Sequence, residues 1–414
     1  MNKRIEDALH SGFSQPIRDA IWGHIYLTPE LKAITRSAPF ARMHRILQLG
    51  PAEIVYPGAS HTRAAHSIGV YYITRRLLNK LMVRGAGEYV TFTGVRSMLC
   101  AALLHDVGHF PYAHSLNELP LSRHETLSAQ IIKSPAMKAL IEAAGGDADM
   151  TAAIVDFEEA QGINEEVCFY RKLISGCLDP DKLDYLNRDA RYCGIPYGNQ
   201  DIDFTLSMLR PHKERGVDIE SPGIASVESV LFAKYLMYRS VYWHHSVRSA
   251  DAMIKKAIYC GINDKIIEPK ELYQLDDMEL FALFRERSLK TPIFELGNMV
   301  RSGNIYKKVA EFNYKDVENH GLSDIKTRTN MENDLALKYS KITGKKIDGN
   351  QIIIDVPDSI SFETKLFVRG PNCFFDESSS VFKKSTVKSF ADTLRMVRVF
   401  ASPQIAGLLH DVEL

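Results

Sequence analysis

The chain has 414 residues, of which 45% are hydrophobic and 25% are charged, and its 51 basic residues balance its 51 acidic ones. This composition indicates an ordinary globular protein with one large domain and an appendage, or with two to three domains. A formal net charge of zero provides no global attraction to nucleic acid or to an anionic membrane, so a nucleic-acid partner is permitted but not indicated.

The six cysteines are scattered and form no C-x-x-C pair, which argues against a structural zinc site and against a disulfide framework. We expect reduced thiols in a cytoplasmic protein. The N-terminal residues contain no apolar signal core, and the longest strongly apolar run, residues 98–104, is too short to span a bilayer. No membrane partner is expected.

Hydrophobic periodicity in the first part of the chain predicts a succession of helices. They are predicted at residues 31–49, 64–82, 95–106, 124–132, 179–190 and 227–259. Near Gly261 the pattern changes, and we predict helices at 272–287 and 291–313, a polar mobile loop at 314–333, and strands at 351–356, 364–368, 380–387 and 394–400. The predicted fold class is mainly α, with a helical core over residues 1–265 and a smaller α+β region over residues 266–414.

Histidines are concentrated in one part of the chain. Six of the fourteen lie between residues 61 and 124, and one is followed by aspartate in the pair His105-Asp106. A His-Asp pair buried at the end of an apolar helix must be coordinated or hydrogen-bonded, since an unpaired buried carboxylate is very costly. Similar polar side chains fill three further segments, residues 56–67, 123–125 and 179–189. Together the four segments predict a functional site.

The four segments resemble the motifs of HD-domain phosphohydrolases and, within that superfamily, of the deoxynucleoside triphosphate triphosphohydrolases, which include the sterile-alpha-motif-and-HD proteins. The shared phrases are Gly-Ala-Ser-His-x-Arg-x-x-His-Ser, His-Asp-x-Gly-His-x-Pro-x-x-His, His-Glu and Asp-Lys-x-Asp-Tyr-x-x-x-Asp. The similarity runs from about residue 16 to about residue 260. It implies that the helical core is an HD domain and that four residues bind a metal: His66, His105, Asp106 and Asp181.

Two imidazoles and two carboxylates form a mixed nitrogen and oxygen ligand set. Such a set suits a divalent ion of manganese, iron, nickel, zinc or magnesium and leaves positions open for water and substrate. We expect one divalent transition metal per site (Mn, Fe, Ni or Zn), with Mg²⁺ as a candidate ion for the substrate phosphates.

The segment 179–189 can be examined as a helix. If it is helical, Asp181, Lys182, Tyr185 and Asp189 lie within an arc of about 100° and face one direction. The resemblance assigns phosphate binding to Lys182, contact with the sugar near C2′ to Tyr185, and the 3′-hydroxyl to Asp189. A ring against C2′ would disfavour a ribose hydroxyl. A solvated, charged helix face is the alternative.

The resemblance assigns catalysis near the α-phosphate to His124, assisted by His114 and His109. Imidazole titrates near neutrality and can donate to a phosphoryl oxygen or to a leaving group. The alternative for each of these histidines is a supporting hydrogen bond beside the metal.

Four further positions match substrate contacts of the family. Arg63 and Arg239 match phosphate-contacting arginines, and Gln48 and Leu49 match positions that touch the nucleoside. The implied partner is a deoxynucleoside triphosphate substrate.

The sequence departs from the family in two places. Asn117 stands where relatives have an aspartate that contributes to catalysis, with Glu118 beside it. Regulated relatives bind a guanine activator through an acid, a glutamine and an arginine, and the aligned positions here hold Arg36, Ala41 and His44. We therefore expect no guanine-specific allosteric site of that kind. The basic residues in this stretch could still bind an anion or form a solvated helix face.

Three functions are consistent with these patterns. The leading hypothesis is a metal-dependent hydrolase that converts a deoxynucleoside triphosphate to deoxynucleoside and tripolyphosphate. The second is an HD-type nucleotide phosphatase or phosphodiesterase acting on another nucleotide. Two further ligands for a second metal would favour a phosphodiesterase, and the sequence offers no convincing pair of such ligands. The third is a nucleotide sensor or nucleic-acid-binding protein.

The C-terminal region is expected to serve oligomerisation or regulation. Relatives assemble as dimers, tetramers or hexamers, so a homo-oligomer is expected by analogy.

Overall fold

The computed structural model of the protein describes residues 3–378 and 381–414. Helices dominate it, and the strands are short and form small sheets, most of them after residue 208. The prediction of a mainly α fold is confirmed. Across the described residues, no helix combines the length and the hydropathy that crossing a bilayer requires.

The elements of the first half are helical apart from one hairpin. They are α1 (Lys3–His10), β1 (Gln15–Asp19), β2 (Gly23–Leu27), α2 (Pro29–Thr35), α3 (Ala38–Met43), α4 (Arg63–Val83), α5 (Phe92–Leu104), α6 (His124–Ile132), α7 (Pro135–Ala143), α8 (Ala148–Val155), α9 (Glu165–Leu173) and α10 (Pro180–Cys193).

The second half mixes helices with strands. Its elements are α11 (Ile202–Met208), β3 (Leu209–His212), β4 (Gly216–Glu220), α12 (Ile224–Met237), α13 (His245–Asn263), α14 (Pro269–Leu272), α15 (Asp277–Ser288), α16 (Glu295–Arg301), β5 (Lys307–Asn313), α17 (Tyr314–Val317), α18 (Ile325–Thr343), β6 (Ile352–Asp355), β7 (Phe367–Arg369), β8 (Cys373–Phe374), α19 (Lys384–Leu394) and β9 (Met396–Ala401).

Helix α4 lies at the centre of the first core and packs against both α5 and α10. Helix α5 is buried almost throughout because its sequence is apolar on nearly every face. Local signals fix both ends of α10. Asp179 caps its N-terminus with Pro180 in the first turn, and Gly194 ends it in a left-handed conformation with φ +69°. These signals place residue 181 in the first turn of the helix.

Three sheets accompany the helices. Strands β1 and β2 form a hairpin, the second sheet has the order β3-β4-β7-β8, and the third has the order β5-β9-β6. Within the second sheet, β4 and β7 pair in parallel, with Asp218 opposite Phe367. This pairing brings the late chain back to the first core, where Phe362 and Leu366 are buried. A division of the chain near residue 265 stays a prediction.

Two predicted helices are interrupted. The helix expected at 31–49 is wrong in its length: it is divided into α2 and α3 because Ser37 is extended and Pro39 starts a new first turn. The helix expected at 227–259 is divided by a π-helical turn, Tyr238–Tyr242, and by a break at His244. This break involves no glycine or proline, so the sequence gives no local signal for it.

Four predictions in the later chain are wrong in part. The helix at 291–313 ends with α16 and is followed by strand β5, and the helix at 272–287 is divided into α14 and α15. The loop at 314–333 contains α17 and the start of α18, whose polar residues Arg328 and Glu332 are buried in ion pairs. The strand at 380–387 begins at a position outside the described residues and continues into helix α19, which packs Phe390 against Phe232 of α12.

Candidate active site

The four predicted metal ligands come together where α4, α5 and α10 meet. His66 lies in the first turn of α4, His105 and Asp106 directly follow α5, and Asp181 lies in the first turn of α10. His66 Nε2 is 2.8 Å from Asp181 Oδ1, while His105 Nε2 is 3.7 Å from that oxygen and 3.4 Å from Asp106 Oδ1. The donor atoms of His66, His105 and Asp181 all lie within 4.8 Å of one another.

This donor set fits a divalent metal ion. Nε2 of His105 is buried and has no hydrogen-bond partner among the described residues, and an orphaned polar atom is costly unless a ligand satisfies it. Burial opposes ionisation of Asp181, but the neighbouring imidazoles of His105 and His66 hold the pKa of its carboxyl well below the usual range. An ionised carboxylate beside two imidazoles can therefore hold a divalent ion there.

A second carboxylate supports His66 from behind. Asp184 accepts a hydrogen bond from Nδ1 of His66 at 2.9 Å, which leaves Nε2 directed at the metal cluster. Asp184 is fully buried and also accepts from Arg188 and from Nε1 of Trp22. Although burial opposes protonation, Asp181 and Asp184 raise the pKa of His66 to about 10. No role was predicted for Asp184; its i,i+4 spacing to Arg188 on a buried helix face was the available signal.

Three histidines form a separate group next to the cluster. His109 Nε2 and His114 Nε2 are 3.2 Å apart, and the ring centroids of His109 and His124 are 3.7 Å apart. Burial lowers the pKa of His114 to about 3 and that of His124 to about 4. The donor atoms of the three residues lie within 4.8 Å of one another. The structure thus brings together a second group of side chains with metal-ligand chemistry, although no convincing pair of ligands for a second metal was predicted.

Arg63 is buried beside the cluster. Its NH1 donates to Asp106 Oδ2 at 2.8 Å, so the guanidinium already neutralises one candidate ligand. Nδ1 of His109 lies 3.2 Å from the other oxygen, Asp106 Oδ1. Burial opposes ionisation of Asp106, yet His109, His105 and Arg63 hold its pKa well below the usual range. Asp106 is therefore a carboxylate shared between both histidine groups.

The residues predicted to face the sugar lie on one wall. Asp189 is buried; it accepts from Nε2 of His61 at 2.8 Å and from the Tyr242 hydroxyl at 2.6 Å. The rings of Tyr185 and Tyr242 are 6.4 Å apart. Oε1 of Gln48 is buried and has no partner among the described residues. His61 and Tyr242 are further contributors that no metal motif would single out.

A cavity of about 750 Å³ connects the metal cluster with this wall. Predicted site residues account for much of its lining: Gln48, Leu49, Arg63, His66, His105, Asp106, His114, His124, Asp181, Tyr185 and Asp189. His109 packs directly behind His114 and His124. Two predicted phosphate contacts are placed elsewhere. Lys182 donates to Asp179 and to the carbonyl of Gly176, and Arg239 donates to the Tyr235 hydroxyl.

The two departures from the family also have clear positions. Asn117 lines the cavity, whereas Glu118 pairs with Lys255 and Arg328 outside it. In the basic stretch, Arg42 donates to the backbone carbonyls of Leu275 and Val107, and Arg45 pairs with Asp276. These two arginines are therefore occupied by contacts within the chain.

Two family models match this chain. Residues 63–151 match the HD domain family and residues 209–386 match the HD associated region. An uncharacterized protein of Methanocaldococcus jannaschii is 32% identical over 306 residues, which is 73% of this chain and 60% of that protein. The deoxynucleoside triphosphate triphosphohydrolase SAMHD1 of Homo sapiens is 26% identical over 60% of this chain and 45% of its own length. Its Dictyostelium discoideum homolog is 26% identical over 72% of this chain and 60% of its own length.

Solved structures share the fold. A phosphohydrolase from Bacteroides thetaiotaomicron superimposes with a TM-score of 0.74 at 23% identity, covering 94% of this chain and 100% of that chain. The chain spans about half the length of the curated relatives that it matches. With the domain matches and the converging histidine and aspartate ligands, the chain belongs to the HD-domain phosphohydrolase family.

Proposed function

We propose that the protein hydrolyses deoxynucleoside triphosphates to deoxynucleoside and tripolyphosphate. One observation carries the proposal: helix α10 contributes Asp181 to the metal cluster and then, one and two turns later, Tyr185 and Asp189 to the wall of the same cavity. A phosphate-cleaving centre and a wall suited to a deoxyribose are therefore built on one rigid element.

Asp189 is suited to accept a hydrogen bond from a 3′-hydroxyl. His61 and Tyr242 hold its carboxylate in place, and each of its oxygens has a second lone pair. Tyr185 stands beside Tyr242 and in the proposed complex packs against C2′. A ribose hydroxyl would lose its hydrogen bonds to water against this ring, at a cost of roughly 1–3 kcal/mol.

The reacting phosphate would lie at the metal cluster. A bound divalent ion would supply Lewis-acid activation of water and of a phosphoryl oxygen. Arg63 lies beside the cluster, and the N–H groups that it does not use on Asp106 would donate to a phosphate oxygen. Burial lowers the pKa of His124 to about 4, so its imidazole is neutral at pH 7 before substrate arrives. The charge of a triphosphate would raise that pKa, and the imidazole could then hand a proton to the departing 5′-oxygen, assisted by His114 and His109.

The names of matched relatives support this substrate, since two of those described above are deoxynucleoside triphosphate triphosphohydrolases. We extend the proposal to one transition metal per site, with manganese first among Mn, Fe, Ni and Zn, and to Mg²⁺ on the substrate phosphates. A cytoplasmic homo-oligomer is proposed as well. In it, residues 1–265 would carry the hydrolase site, and residues 266–414 would serve oligomerisation or regulation.

Product identity tests the proposal. The purified protein with Mn²⁺ is incubated with each of the four deoxynucleoside triphosphates, singly and mixed, and the products are resolved by ion exchange and phosphorus NMR. Tripolyphosphate and deoxynucleoside are expected, and the Asp106→Ala variant should form neither. Orthophosphate alone, or no turnover with any of the four, would contradict the proposal.

A second candidate is a phosphodiesterase acting on another nucleotide. The grouping of His109, His114 and His124 favours it, because their donor atoms lie within 4.8 Å of one another and could hold a second ion beside the first. Metal analysis separates the two candidates. One ion per chain supports the triphosphohydrolase, while two ions per chain together with cleavage of a nucleotide diester support the phosphodiesterase.

A further inference from the structure

The cavity has too few cations of its own to receive a triphosphate. Among the described residues that line it, three arginines stand against six carboxylates, and the lining contains no lysine. Each arginine is also engaged: Arg63 with Asp106 at 2.8 Å, Arg248 with Asp355 at 2.6 Å, and Arg123 with several carboxylates. One divalent ion would not balance the negative charge of these carboxylates and of a triphosphate. Further positive charge therefore has to come from residues outside the present lining.

Two largely buried lysines are neighbours of residues that line the cavity. Lys182 follows Asp181 in α10, and Lys234 lies on α12. Their side chains are 12% and 8% exposed, and both approach a single carboxylate: Oε2 of Glu363 is 3.7 Å from Nζ of Lys182 and 3.2 Å from Nζ of Lys234. A carboxylate shared by two ammonium groups occupies the same type of site that a phosphate oxygen would.

Glu363 belongs to a segment that borders the cavity. Residues 356–366 connect β6 with β7 without regular structure, and Asp358, Ser359 and Ile360 of this segment line the cavity. Nζ of Lys234 also donates to the carbonyl of Ser361 at 2.7 Å. The C-terminal region therefore reaches the lysine pair through the same stretch of chain that faces the substrate.

We propose that Glu363 competes with the substrate's phosphates for Lys182 and Lys234. In the substrate-free protein the carboxylate neutralises part of the charge of the lysine pair. When a triphosphate enters, its terminal phosphate displaces Glu363, and both ammonium groups become available to it. This inference rests on the proposed function, because it assumes a polyphosphate in the cavity. Because residues 356–366 carry the competing carboxylate, the C-terminal region would control through them how tightly the site binds phosphate.

Binding of inorganic tripolyphosphate to the full chain in the presence of Mn²⁺, measured by calorimetry, tests the inference. The Glu363→Gln variant keeps the size of the side chain and removes the competing charge. It should bind tripolyphosphate roughly threefold to tenfold more tightly than the unaltered protein, since two partly exposed ion pairs no longer oppose binding. In the double variant with Lys234→Met, this gain should be lost.

Glu311 provides a matched control. Its carboxylate is 30% exposed, against 32% for Glu363, and it also pairs with two cations, Arg398 and Lys308, in the sheet of β5 and β9. Glu311→Gln makes the same change in net charge and should leave tripolyphosphate affinity unchanged. Equal affinities for the two glutamine variants, or weaker binding by Glu363→Gln than by the unaltered protein, would overturn the inference.

The binding readout does not depend on turnover. If the unaltered protein hydrolyses no deoxynucleoside triphosphate but Glu363→Gln binds tripolyphosphate more tightly, the proposed function fails and the competition stands. If turnover is found but Glu363→Gln and the unaltered protein bind tripolyphosphate equally, only the proposed competition is contradicted.

Discussion

The support that Asp184 gives to His66 can be tested with a pair of variants. In Asp184→Asn, the group facing His66 Nδ1 is no longer a carboxylate, and Arg188 loses one of its two acidic partners. The orientation of Nε2 would no longer be fixed, and loss of such a support typically costs about 10- to 100-fold in metal affinity. Stability should fall as well, by about 3 kcal/mol, because Arg188 is fully buried and would keep only Asp19.

Asp19→Asn separates these two effects. Asp19 Oδ2 accepts from NH1 of Arg188 at 2.9 Å, so this variant also removes one of the arginine's acidic partners, and it does not touch His66. Denaturant unfolding should show a comparable loss of stability in both variants. Competitive Mn²⁺ titration against a fluorescent chelator should show weakened binding in Asp184→Asn alone. Equal Mn²⁺ affinities in the two variants would refute the view that Asp184 acts through His66.

Three further outcomes are expected. Tyr185→Ala should raise activity on ribonucleoside triphosphates relative to deoxy substrates by about tenfold, and comparison of kcat/KM for matched pairs checks this. Tyr242→Phe removes a hydrogen bond to Asp189 and should raise KM several-fold for substrates with a 3′-hydroxyl, but not for 3′-deoxy analogues. Burial lowers the pKa of His124 in the folded state to about 4, so the folded state disfavours protonation of this imidazole. Its contribution to the free energy of unfolding is therefore fully present above pH 6.5 and is lost as the pH falls towards 4. In metal-free protein, His124→Gln should reduce the loss of stability between pH 7.5 and pH 5 by about 2 kcal/mol, and an unchanged loss would contradict that assignment.

The parts of the fold that were predictable are those with local signals. Helix α10 has a capping aspartate, a proline in its first turn and a terminal glycine, and its observed bounds lie close to the predicted ones. The start of helix α18 was missed because its first half, residues 325–334, is mostly polar. Its buried Glu332 is stabilised by Lys256 from α13, and a partner 76 residues away in the sequence leaves no local pattern.

In the candidate site, too, residues with a local sequence signal were predictable and residues that depend on distant partners were not. The positions of His66, His105 and Asp181 were foreseeable because metal ligands must be particular residue types at particular spacings. Asp184 bonds His66 on α4, and His61 bonds Asp189 on α10, so residues adjacent in the sequence do not reveal these contacts. The spacing of Asp184 to Arg188 is the one local signal noted for them. Lys182 stays a predicted phosphate ligand: its residue type and helical position favour that role, and in the structure its Nζ pairs with Asp179 and Glu363.

The π-helical turn at Tyr238–Tyr242 has a consequence for how the family can vary. Trp243 N donates to the carbonyl five residues earlier, so this turn contains one residue more than an α-helix would use. If the same residues continued as an α-helix, the side chains after the turn would be rotated by about 100°, and the Tyr242 hydroxyl would lie away from Asp189. An insertion within α12 would cause a rotation of the same size, so substitutions along this helix should be tolerated far more readily than insertions.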